Sequence, residues 1–220
     1  MEYDLIYPET KREMYKVPCV VAAVYFDEDE LIDLGVPEDS YEVQDPFWDL
    51  NEFEKPFKLW ESEKYLIDFY DQNRTFLEQE YWKDVTEYDF LDDVIKSLNT
   101  VKKKLIDKME SNDFHSLVEP LDDGEEEKRI FDSIKIKVKQ GQIKGRHPFR
   151  FYAIEIEERK CYLITGAAIK IHKDMGKAPN TKIELDKLEK VYNVLEWNGI
   201  KTKDTFIEFF KKEQINAKKQ

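Results

Sequence analysis

The apolar positions of this chain follow two rhythms. Over residues 61–110 they recur every three or four residues: Leu66, Phe69, Tyr70, Phe76, Leu77 and Tyr81, then Phe90, Leu91, Val94, Ile95, Leu98, Val101, Leu105 and Met109. That spacing places them on one stripe of a helix. Thr86 and Asp89 supply a T-x-x-D helix start before the second set, because a threonine hydroxyl can accept from the amide three residues on. From residue 134 the rhythm becomes two. Ile134, Ile136 and Val138 alternate with Lys135, Lys137 and Lys139, which is the pattern of a half-buried strand with a lysine row on its open face. Residues 149–157 and 161–172 predict two more strands, joined by a hairpin turn at 158–160. The second is the more apolar and so the more central. Connections this short favour an antiparallel meander.

The flanks complete the pattern. DLIY near the start reads as a strand, and VPCVVAAVYF as a buried strand or a helix, its β-branched content favouring the strand. DEDELIDLGVPED has acidic residues in a first helical turn, where they complement the helix dipole, and Gly-Val-Pro as a stop. Residues 41–60 are broken by Pro46 and Pro56 and carry Phe47, Trp48, Phe53, Phe57 and Trp60. They read as a loop pinned by aromatic anchors or as two short helices. The acidic run 122–127 around Gly124 marks a boundary near 125–133. Pro179, Asn180 and Thr181 open a last amphipathic helix, followed by a turn at Asn198-Gly199 and a short aromatic helix. The fold class expected is α+β: a helical N-terminal part, a small antiparallel β-meander and a C-terminal helix. Residues 1–85 form an acidic, aromatic-rich extension and 86–220 an α+β domain.

Charge sharpens this division. Residues 1–133 hold 15 Lys and Arg against 37 Asp and Glu, a net −22; residues 134–220 hold 20 against 11, a net +9. Such a split points to an acidic or nucleic-acid partner for the basic half, or to one half shielding the other. With 220 residues, 41% of them hydrophobic, the chain can bury a real core as one large domain or two small ones. Only seven glycines are present, which argues against a Gly-rich phosphate loop. Cys19 and Cys161 each sit in an apolar run and read as buried reduced thiols. The N-terminus lacks the pattern of a secretory signal, and no apolar run approaches 18 residues. A cytoplasmic location without membrane contact is expected. His115, His147 and His172 are too dispersed for a zinc site. Asp89, Asp92 and Asp93 read as helix-start charges rather than a metal site. No metal or cofactor is expected.

The C-terminal half resembles the RelE/ParE-superfamily toxins, particularly their HigB-like, phage-derived branch. The element order, helices then a meander of strands, is similar over residues 85–197. FRFYAIEIEE resembles the first strand of that pattern, CYLITGAAIKIHKDMGKAP the second strand with its basic exit, and NTKIELDKLEKVYNVL the closing helix. The chain departs from the pattern in its longer strand exit, with His172 and Asp174, in Ala167-Ala168 where a bulky aromatic is expected, and in its N-terminal 85 residues.

The resemblance implies an endoribonuclease that cuts messenger RNA, typically on the ribosome, without a metal. Cations stabilise the phosphorane charge, and a His, Lys or Tyr of suitable pKa moves the protons. By position, Arg150, Lys170 and Lys173 would be the stabilising cations and His172 or Tyr152 the proton carriers. Alternation puts Lys170 and His172 on one face, and Arg150 and Tyr152 on one face of their own strand. Lys135, Lys137, Lys139, Lys144 and Arg146 would track the RNA backbone, with a steep salt dependence. The extension would cover the basic site as a partner antitoxin does in that family. The alternative is a non-catalytic interaction module of phage or mobile-element origin whose acidic half binds a basic partner. Residue by residue, bland roles compete: a surface His172, a solvated lysine row, a Tyr152 that packs.

Overall fold

The computed structural model describes residues 1–40, 49–79, 82–120, 132–136, 148–172 and 177–217. Among these, the strands are β1 (Glu2–Tyr7), β2 (Val20–Tyr25), β3 (Val118–Pro120), β4 (Asp132–Ile136), β5 (Phe149–Glu157) and β6 (Cys161–Ile169). The helices are α1 (Glu28–Asp33), α2 (Lys55–Glu61), α3 (Glu63–Gln72), α4 (Arg74–Leu77), α5 (Glu87–Glu110), α6 (Pro179–Trp197) and α7 (Lys203–Ala217). The fold is α+β. The six strands form one sheet in the order β1-β2-β6-β5-β4-β3. β4, β5 and β6 are antiparallel neighbours, as their short connections predict. β2 lies parallel to β6, from Val20 opposite Cys161 to Ala23 opposite Ile164. The sheet therefore takes strands from both sides of residue 85 and extends well past a three-stranded meander.

Helices cover both faces. On one, α2, α3 and α5 set Phe57, Trp60, Phe69, Phe90, Val94, Leu98 and Val101 against Val21, Ala23, Phe149, Phe151 and Ile164. On the other, α1, α6 and α7 set Leu31, Leu188, Val191, Leu195, Phe206 and Phe210 against Val20, Ala22, Val24, Ile154 and Leu163. A strand covered on both faces needs apolar residues at every position, which is why VVAAV and CYLIT read as unbroken apolar runs. The free thiols Cys19 and Cys161 belong to opposite faces of the sheet.

Local signals work as the sequence suggests. Asp27 and Glu30 close a capping box at α1. The Thr86 hydroxyl accepts from the Asp89 amide and starts α5. Arg159 (φ 59°) turns the β5–β6 hairpin. The stripe of α5 is buried except at Ile95, which is 40% exposed. Lys102 is partly buried, its ammonium 5.3 Å from the centre of the Phe57 ring, where the ring's quadrupole attracts a cation. Phe53, Phe57 and Trp60 are core anchors, while Phe47 and Trp48 lie outside the described residues.

A fragment of residues 86–220 tests the weight of the N-terminal strands. It lacks β2, whose Val20, Val21, Ala22, Ala23 and Val24 have no exposed surface, and it lacks the α2 aromatics over Phe149 and Phe151. Losing one core aromatic alone costs about 3–5 kcal/mol. The fragment should show no cooperative thermal transition by circular dichroism, whereas the whole chain should show one.

Candidate functional site

β2 and β6 part company after Ala23 and Ile164. β6 continues to Ile169, but the Val24 carbonyl accepts instead from the amide of Glu52, at 2.8 Å. Asn51, fully buried, holds that turn: its Oδ1 accepts from the amides of Phe53 and Glu54, both at 3.0 Å. Beyond the fork lies a crevice of about 450 Å³. Its back wall is Ala167, Ala168 and Ile169 of β6; one side is α2 and α3, with Trp60, Tyr65, Asp68 and Phe69; the other is α6, with Asn180, Ile183, Glu184 and Lys187. Ala167 and Ala168 point to opposite faces of the sheet, and both line the crevice. The crevice therefore meets β6 edge-on, between the two helical layers. Crevices outside the carboxyl ends of parallel strands are habitual ligand sites.

Four charged side chains form its floor. The Lys55 ammonium lies 2.9 Å from Glu52 Oε1, the Lys187 ammonium 2.8 Å from Glu52 Oε2 and 3.0 Å from Glu184 Oε1. Signs alternate along this row, and all four residues are buried. Burial by itself disfavours charge. For Glu52 it would raise the pKa, but Lys187 and Lys55 outweigh it and hold the carboxyl below its ordinary value. For Lys187 burial would lower the pKa, but Glu184 and Glu52 outweigh it and hold the ammonium above its ordinary value. Both groups stay ionised through neutral pH.

The sheet bends to admit Glu184. The β5–β6 register passes from Tyr152 opposite Gly166 to Ala153 opposite Ile164, which leaves Thr165 as an extra residue. At Gly166 a Cβ would lie 1.6 Å from Glu184 Oε2, so only glycine allows the carboxylate this close.

Two of the predicted catalytic residues lie in this interior. Tyr152 is fully buried, its phenol pushed well above the usual range by burial and then by nearby Glu184. Arg150 is 6% exposed and donates to the Phe149 carbonyl at 2.8 Å. Neither faces solvent, because β5 is covered by α6. Lys170 and His172 follow β6 and are partly exposed. The Lys170 carbonyl accepts from the Trp82 indole at 2.8 Å, and the His172 ring meets Phe76 edge-on at 6.0 Å. Lys173, Lys137, Lys139, Lys144 and Arg146 lie outside the described residues. Lys135 stands in β4 opposite Tyr152.

A second hollow, of about 250 Å³, is lined by Cys19 and His115. Burial pushes the Cys19 thiol up to about 12, so at neutral pH it is not the thiolate a nucleophile requires. Among the described residues no group of three His, Cys, Asp or Glu side chains is arranged to hold a metal, and no helix is long and apolar enough to cross a membrane. The crevice was missed in the sequence, although it has a signal there: two E-x-x-K pairs, Glu52 with Lys55 and Glu184 with Lys187. Such pairs are ordinary on exposed helices, and nothing local shows that these two meet. Comparison with protein-family models, with curated proteins and with solved structures finds no match.

The charged row makes a stability prediction. Lys187→Met leaves Glu52 and Glu184 with one cation fewer, and removing a partner from a buried ion pair costs about 3–5 kcal/mol; urea denaturation should register a loss on that scale. The pH dependence has two limbs. Glu52, with its pKa depressed on folding, contributes stability that is complete above the unfolded glutamate value of about 4.3 and is lost as pH falls through the folded value. Lys187, with its pKa raised, contributes stability complete below about 10.4 and lost as pH climbs through the folded value. Urea midpoints should be level from just above that glutamate value to about 8.5, the ordinary cysteine value; beyond it the unfolded chain's thiols ionise while burial keeps Cys19 and Cys161 protonated in the fold, so stability falls. Glu52→Gln should flatten the acid limb.

Proposed function

We propose that the protein is a non-catalytic binding module whose crevice between β2 and β6 takes a cationic group of a basic partner. The observation that carries this reading is the charge of the lining. Asp39, Glu52, Asp68 and Glu184 stand against Lys55 and Lys187, a net −2 among the described residues. Both cations are committed to Glu52, within 3 Å. The aromatic rings of Trp60, Tyr65 and Phe69 beside Asp68 suit a cation as well. A phosphate would meet surplus negative charge. The displaced ionisations also favour holding over catalysis: Glu52 is displaced downward, Lys187 and Tyr152 upward, all away from neutrality, whereas a proton carrier works best near the ambient pH.

Calorimetry at low salt with butylamine, butylguanidine and inorganic phosphate tests this. The two cations should bind and phosphate should not. Asp68→Asn, a partly exposed position, should weaken binding about tenfold, the value of one hydrogen bond to a charged group. Binding of phosphate in preference to either cation overturns the reading.

One observation favours a second reading, the metal-independent endoribonuclease of messenger RNA. Helices, the antiparallel β4, β5 and β6, and then α6 follow one another in the order of the RelE-type pattern. In that reading the partly exposed Lys170 and His172 do the work nearest solvent. Expression in a bacterium should then arrest growth, and the double change Lys170→Ala with His172→Ala should relieve it. Unimpeded growth with abundant soluble protein removes this second reading.

A further inference from the structure

The crevice has a recognition element beyond its charge, the edge of β6. Along a strand, the amide and carbonyl of one residue point to one side and those of the next to the other. The Lys170 amide points toward β5, where it donates to the Pro148 carbonyl at 2.7 Å. The Ile169 carbonyl points the opposite way, where Asn180 Nδ2 donates to it at 2.8 Å. Ala167, two residues earlier, turns its amide and carbonyl in that same direction, into the crevice. β2 has stopped pairing with β6 by then, at Ala23 and Ile164. Among the described residues no strand runs beside 166–169 on this side, although β6 is extended there and the space alongside it is open.

We propose that this edge receives an extended basic segment of a partner protein, which adds as a short strand beside β6 in the place that β2 vacates. The inference rests on the cationic-group reading and specifies how the cation is delivered. An added strand gains main-chain hydrogen bonds from the edge and sends alternate side chains to opposite layers. One side chain would reach the α3 wall, where Asp68 sits with Tyr65 and Phe69; this is the place for lysine or arginine. The next would reach the α6 wall at Ile183, which suits an apolar residue. The segment is short, since the open edge spans residues 166–169, at about 3.3 Å per residue. The acidic surplus of the described lining residues favours a basic segment over an acidic one.

Three probes separate this inference from the reading beneath it, all with the wild-type full chain at one salt concentration. They are the peptide acetyl-Gly-Ile-Lys-Ile-Gly-amide, the same peptide N-methylated at the lysine and following isoleucine, and butylamine. The plain peptide should bind at least about tenfold tighter than butylamine, and N-methylation should remove most of that gain, because one of the two consecutive amides faces the β6 edge and its main-chain hydrogen bond is lost. If the peptides and butylamine bind alike, or N-methylation changes nothing, the strand-addition proposal fails and the cationic-group reading stands. If butylamine and both peptides fail to bind, both fall.

Discussion

The ion pair between Glu52 and Lys187 is the interaction on which the rest of this architecture turns. Two parallel strands that separate inside a protein leave backbone groups and space that must be filled. Here the Glu52 amide satisfies the Val24 carbonyl at the parting, and its carboxylate reaches across to α6. Residues 135 positions apart are thereby tied at the centre of the molecule. Such a tie is costly to form, because ions lose their hydration on burial. It holds because each charge has a partner of opposite sign at hydrogen-bond distance, Lys55 and Glu184 extending the row at its two ends. Apolar residues of like size could fill the same volume without that cost. The charges instead give the packing a fixed register between the α2 layer and α6.

That register explains features that look unrelated. Gly166 is needed because Glu184 presses on the strand backbone. The extra Thr165 in β6 shifts the strand at the same level, and its hydroxyl donates to the Tyr152 carbonyl at 3.4 Å. Asn51 accepts with its side-chain oxygen from the Phe53 and Glu54 amides just before α2. Each is a local adjustment to one requirement, that a carboxylate from either helical layer meets Lys187 at the fork.

Much of the fold was legible in the sequence, and the reason is that its signals are local. The three-to-four rhythm of α5, the Thr86 start, the turn at 158–160 and the Pro179 helix start all depend on residues close together in the chain. The run VVAAV read as a buried strand or a helix and CYLIT as part of the more central strand, and both are strands covered on both faces. What was not legible is their pairing. Nothing in either run says that Val20 lies beside Cys161, since the contact spans 141 residues and either run would pair with many partners. The candidate site was hidden for the same reason. Arg150 and Tyr152 stand on a strand whose period allowed an open face, and only the docking of α6 makes that face interior. Glu52, Lys55, Glu184 and Lys187 are unremarkable as i,i+3 pairs until the fold brings the two pairs together. The charge split between the halves was visible but does not make this row, to which each half supplies one acid and one base, Glu52 with Lys55 and Glu184 with Lys187.

The balance of the crevice follows from separating its charges into two groups. The buried row Lys55, Glu52, Lys187 and Glu184 is neutral as a set, each charge lying within 3.0 Å of one of opposite sign. It gives the site shape and polarity but no net preference for a cation or an anion. In the proposed reading the preference comes from Asp39 and Asp68, which lie in the same lining and add two negative charges beside Tyr65 and Phe69. A ligand that competes for the row has to break contacts of 2.8–3.0 Å between buried ions. A ligand that leaves the row alone and places its positive charge beside Asp68 breaks none of them. The second course leaves the buried row intact, so in the proposed reading the row acts as a floor and the outer acids as the binding surface.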